Sequence, residues 1–175
     1  MKKLKSTIIL IFIVCILLGG YFYISDKSPL EPPDIIITIG DKQIEYVVGK
    51  NEWNGAKYDR EDTFKTILKN NLVSELPYIE LGSIAKIKFS KNPPSKLVIS
   101  DIFIDENGNQ VYTDKEIVNI PVKLKNGKAS FEINMHFASG LSSYYVEDKI
   151  VIRGFRIIAT WGRNECEYAF IIRTD

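Results

Sequence analysis

The chain has 175 residues, of which 45% are hydrophobic and 26% charged. That length fits about one domain, and the apolar share excludes a wholly disordered chain; 11 Gly and 7 Pro exclude collagen-like or low-complexity sequence. The 23 basic and 22 acidic side chains nearly cancel, which points to no nucleic-acid partner, and two Cys with one His are too few for a zinc module.

Residues 1–6, Met1-Lys2-Lys3-Leu4-Lys5-Ser6, are basic, and residues 7–24 then carry no charge. As a helix, those 18 residues would cover about 27 Å, close to the roughly 30 Å hydrocarbon core of a bilayer. The lysines favour a cytoplasmic tail and place everything after Ile24 outside, with Tyr21 and Tyr23 at the far interface. Leu18-Gly19-Gly20 is a poor signal-peptidase site, and bulky Val14 precedes Cys15, against lipidation. The expectation is a single-pass transmembrane signal anchor, with cleavage and secretion as the alternative. Residues 1–24 hold three of the basic side chains and no acid, so the remainder has 20 basic, 22 acidic and a net charge of −2. That balance offers no overall attraction to nucleic acid or to an anionic cell surface. Cys166 is alone in the exported part, so no disulfide is expected there.

Residues 25–33 (Ser25-Asp26-Lys27-Ser28-Pro29-Leu30-Glu31-Pro32-Pro33) read as an extended stalk, because proline fixes φ and removes donors. The domain is expected over residues 34–175. Ile35, Ile37 and Ile39 alternate, then Ile44, Tyr46 and Val48, about a turn at Gly40-Asp41-Lys42: a β-hairpin. Phe64, Ile67, Leu68 and Leu72 have helical spacing after Asp62 or Thr63 as cap, giving one short helix that crosses between sheets. Strands follow at Ala85, Ile87 and Phe89, and at Val118 to Leu124, where Pro121 marks an edge. The clearest alternation is Ala129, Phe131, Ile133, Met135 and Phe137, with His136 on the wet side. In the last hairpin the phase changes between Ile152 and Phe155, which suggests a β-bulge at Gly154; the partner strand puts Cys166, Tyr168, Phe170 and Ile172 on one face. Nine short strands with turns at Asn107-Gly108, Asn126-Gly127 and Gly162-Arg163-Asn164 point to a mainly β, antiparallel two-sheet sandwich of immunoglobulin type.

Candidate chemistry is sparse. Asp105-Glu106-Asn107-Gly108-Asn109 resembles the start of a calcium loop with Glu116 at its twelfth position, yet strand-like flanks favour a hairpin turn. His136 has no nucleophile motif beside it and reads as a solvated strand histidine. Paired carboxylates occur at Glu165 with Glu167 and at Asp59 with Asp62; the first pair shares a strand face and reads as solubilising rather than catalytic, and Cys166 reads as an inert buried thiol. No phosphate-loop motif occurs, and neither metal nor cofactor is expected. The aromatic residues Trp53, in a loop over residues 49–55, and Tyr144 and Tyr145, after a small-residue loop, are the candidate binding residues, weighed against covering the end of the core.

Ile37-Thr38-Ile39-Gly40-Asp41-Lys42-Gln43-Ile44, Gly49 followed by Trp53, and Ala159-Thr160-Trp161-Gly162 leading to Tyr168-Ala169-Phe170 form a recurring set. In these motifs the chain resembles a group of uncharacterised exported, membrane-anchored proteins of Gram-positive, Bacillus-type bacteria. Many of those carry an aromatic and a cysteine between the Gly and the Trp, where this chain has Lys50, Asn51 and Glu52. The resemblance implies a fold and a compartment, not an activity.

The expected function is a membrane-tethered, extracytoplasmic β-sandwich acting as a non-catalytic binding or accessory module of the cell envelope, with an envelope protein or glycan as partner. The alternatives are a structural or protective envelope protein and, more weakly, an unrecognised hydrolase.

Overall fold

The alternation that opens the domain becomes a hairpin. Strands β1 (Ile35–Ile39) and β2 (Lys42–Ile44) pair antiparallel about Gly40-Asp41, with Gly40 at φ 57°. Glycine reaches that left-handed region without a Cβ clash. The computed structural model describes residues 31–59, 62–141 and 150–175. The expected anchor, most of the stalk, Tyr144 and Tyr145 lie outside those residues. Among the described residues, no helix is long and apolar enough to cross a membrane.

Two antiparallel sheets face each other. In the first, β1 also pairs β5 (Ile84–Phe89), which pairs β8 (Lys128–Glu132), giving the order β2-β1-β5-β8. The second contains β3 (Val47–Trp53), β4 (Ala56–Tyr58), β6 (Lys96–Ile104), β7 (Val118–Ile120), β9 (Val151–Trp161) and β10 (Asn164–Thr174), ordered β4-β3-β10-β9-β6-β7. Ten strands are therefore present among the described residues, two of them 11 residues long, where nine short ones were expected. β7 is an edge strand and ends just before Pro121, as a residue without an N–H requires.

The inner faces interdigitate. Ile37, Ile87, Phe89 and Phe131 of the smaller sheet meet Ile99, Phe155, Ile157, Tyr168 and Phe170 of the larger. The Phe131 and Phe155 rings lie 5.7 Å apart, and Phe155 stacks on Phe170 at 4.9 Å. Burying one such side chain contributes about 1.5–3 kcal/mol. Tyr168 also donates its hydroxyl to the Pro33 carbonyl at 2.6 Å, so the end of the expected stalk is already held by the sandwich.

A second core lies on the outside of the larger sheet. Helix α1 (Thr63–Asn70) places Phe64 and Ile67 against Ile102, Ile104, Ile152, Ala169 and Ile171. The helix joins β4 to the smaller sheet in sequence, as expected, but it packs as a cover on the larger. Neither expected cap operates: Asp62 stands at φ 57° with no side-chain cap bond, and the Thr63 hydroxyl is directed to Glu167. Leu72 falls beyond the helix and is exposed.

This outer core corrects the expected bulge. β9 pairs with β6 and β10 in unbroken register through Gly154. The phase change arises because the strand is buried on both faces: Phe155 and Ile157 point into the sandwich, and Ile152 points under the helix. Gly154 leaves room for Phe64, since a Cβ there would lie 2.6 Å from the ring. The third strand of clear alternation also stops early. β8 ends at Glu132, Met135 is 65% exposed, and His136, expected in solvent, is buried.

Gly154→Ala should lower stability by about 1–3 kcal/mol through overpacking, and should cost clearly less in a Phe64→Leu background. Urea unfolding of the four proteins of the cycle checks this; equal penalties in both backgrounds would contradict the contact.

Candidate functional site

Trp53 is not a loop residue. It ends β3, is 4% exposed, and packs edge-on against Trp161 at 5.0 Å. The turn follows it, at Asn54 (φ 51°) and Gly55 (φ 82°). Asn-Gly is the pair such a two-residue hairpin prefers, so the dipeptide itself carried the signal. Its burial removes Trp53 from any exposed aromatic patch, and Tyr144 and Tyr145 lie outside the described residues. Cys166 is fully buried, and burial pushes its thiol up to about 12, which makes it a poor nucleophile.

The reactive groups are enclosed. His136, 2% exposed, caps the short turn Phe137–Gly140: its Nδ1 accepts the Ala138 N–H at 3.2 Å, and its ring stacks on Phe137 at 5.2 Å. Asp101 beside it accepts from Arg153 Nε at 3.2 Å and also from Nη2, a buried ion pair. Burial lowers the His136 pKa; Arg153 adds to that, and Asp101 pulls the other way. Asp105 forms the expected turn, accepting from the Asn107 and Asn109 backbone N–H groups and from Asn109 Nδ2. Among the described residues, no group of three or more potential ligands could hold a metal.

Glu167 corrects the reading of a solvated pair. Glu165 is exposed, but Glu167 is 7% exposed, accepts from the Thr63 hydroxyl at 2.9 Å and pairs with Arg156 Nε at 3.3 Å. The Arg156 guanidinium lies over the Phe64 ring at 5.7 Å. The β3–β10 register shifts beside Glu167, and Gly49 there has no Cβ to strike the carboxylate, which would be 2.5 Å away. Asp59 and Asp62 have separate partners, Lys50 at 3.0 Å and Lys65 at 3.2 Å. Two cavities of about 450 and 420 Å³ share Lys50, Arg156 and Glu167, making a mixed-charge cleft at the start of the helix.

The outer face of the smaller sheet is different. A groove of about 750 Å³ runs over it, lined by Lys86, Lys88, Lys123, Lys125 and Lys128 together with Ile36, Thr38 and Ser130. All five lysines are exposed, and among the described residues none is in an ion pair. No carboxylate lines the groove. Lys86 and Lys88 alternate with the buried residues of β5 and so lie on its wet face; cross-strand pairing brings Lys128 opposite Lys88. The near-neutral total charge thus hides a local cationic face.

No protein-family model, curated protein or solved structure matches this chain.

Because His136 is the chain's one histidine, its titration can be isolated. Its folded pKa lies below its unfolded value of about 6.5, so the unfolded chain binds more protons as pH falls. The stability this withholding gives is full above that value and is lost as pH drops below it, at up to about 1.4 kcal/mol per pH unit. Urea unfolding at pH 7.5 and 5.5 should show this loss, and His136→Gln should flatten it; parallel profiles would contradict a buried neutral imidazole.

Proposed function

We propose that the protein is a membrane-tethered, extracytoplasmic, non-catalytic binding module of the cell envelope, built as an immunoglobulin-like sandwich and working through the outer face of its smaller sheet. The uncharged residues 7–24 behind three lysines support the tether. Facing antiparallel sheets, with chain crossings between them after β2, β4, β5, β7 and β8, support the immunoglobulin-like reading. The observation that carries the binding role is the lysine-lined groove: an open concave surface whose lysines, among the described residues, are in no ion pair. By contrast, His136 and Cys166 are sealed, and Glu167 is engaged by Thr63 and Arg156, so among the described residues none of these three is free to act as a nucleophile or base at a cavity.

A second reading places the ligand in the mixed-charge cleft, because its two cavities meet at Lys50 and Arg156. Retention of the full chain on an isolated cell-wall fraction separates the two. Lys86→Gln with Lys88→Gln should weaken retention about tenfold, and Arg156→Gln should leave it unchanged. The reverse result would move the site to the cleft, and retention insensitive to both would contradict surface binding. A C-terminal epitope should also be shaved from intact cells by a non-permeant protease; protection until lysis would contradict the proposed compartment.

A further inference from the structure

We infer that the lysine groove binds a linear, base-free polyanion of phosphodiester-linked polyol units, threaded along β5. This rests on the reading of the smaller sheet as the binding face and names its ligand.

Two rungs cross the face. Thr38, Lys86 and Ser130 are cross-strand neighbours, as are Ile36, Lys88 and Lys128. The first rung sets a cation between two hydroxyls, which together can meet the oxygens of one phosphate. The second sets two lysines directly opposite each other, where like charges repel and destabilise the pair. With no carboxylate in the groove, a bound anion is what would relieve that repulsion. Lys123 and Lys125, from the connection between β7 and β8, complete the lining.

Spacing points to a chain of phosphates. Lys86 and Lys88 are two residues apart on one face, roughly 7 Å along the strand. Two residues comprise six backbone bonds, and a polymer with six bonds from phosphorus to phosphorus, such as poly(glycerol phosphate), repeats at roughly the same distance when extended. Nucleic acids share that bond count, but proteins that hold single strands without sequence preference use aromatic side chains as stacking platforms. The groove has no aromatic lining residue. Its cations are all lysines, point charges without the planar fork of arginine, which suits a phosphate chain that can slide. A concave groove accommodates a thread, whereas a bilayer presents a plane.

Fluorescence polarisation with end-labelled poly(glycerol phosphate) and the purified full chain in non-ionic detergent tests this. Binding should weaken with salt with a log–log slope of roughly 3.5 if all five lysines engage, and Lys88→Gln with Lys128→Gln should raise Kd about tenfold and flatten the slope. That variant should unfold at an equal or higher urea concentration than the parent, because the like-charge pair is gone; a lower midpoint with unchanged Kd would overturn the inference. Tighter binding of single-stranded DNA, or of phosphatidylglycerol–phosphatidylcholine vesicles, would overturn the polyol-phosphate class while leaving the face as a binding surface. Equal binding of the polymer by parent and variant, or no binding to any of these probes, would overturn both the ligand and the face.

Discussion

The β9–β10 hairpin is covered on both faces, and the rest of the structure follows from that constraint. On one side Phe155, Ile157, Tyr168 and Phe170 fill the sandwich; on the other Ile152, Ala169 and Ile171 lie under the helix. Close approach of the helix depends on missing Cβ atoms. Gly154 admits the Phe64 ring, Gly49 admits Glu167 and Thr63, and Gly108 at φ 79° lies against the backbone of Phe64 and Lys65. Three glycines from three separate segments therefore converge on the first turn of one short helix, which has no side-chain cap of its own. Packing, not intrinsic propensity, holds an eight-residue helix of this kind.

Covering the larger sheet divides the charges. Outside it, cations and anions are matched: Lys50 with Asp59, Lys57 with Glu52, and Arg156 with Glu167. Inside it, Asp101 and Arg153 form a buried pair whose desolvation only close mutual contact can offset. Among the described residues, the smaller sheet has no such cover. Its strands keep one face wet, and lysines from β5, β8 and the preceding connection collect there, with Glu132 at the far end of β8 and, among the described residues, no ion pair to any of them. The two sheets thus differ in kind: one is locked by complementary charge, and the other presents charge to solvent.

Strands with a single buried face were legible in the sequence. Ile35, Ile37 and Ile39, then Ala85, Ile87 and Phe89, alternate in the chain and in the fold. Doubly covered strands were not, because burial on both faces erases the period of two; in β9 the loss mimicked a bulge at Gly154. His136 misled for a related reason: the chain leaves its strand at Glu132, so the parity counted through Phe137 no longer describes a sheet. The dipeptide Asn54-Gly55 marked a hairpin, yet Trp53 before it was read as loop. Every lysine of the groove was visible in the sequence, but only the register Lys88 to Lys128 and the return of the β7–β8 connection make them one surface. Charge summed along the chain cannot show that segregation.

The central claim is that the uncovered sheet, and not the cleft beside the helix, is the binding face. The most direct measurement is amide chemical-shift mapping of the full chain in detergent during titration with poly(glycerol phosphate). The account predicts perturbations clustered at Ile36, Thr38, Lys86, Lys88, Lys128 and Ser130, with Lys50, Arg156 and Glu167 unmoved. Perturbations centred on those last three residues, or none on the smaller sheet, would contradict it.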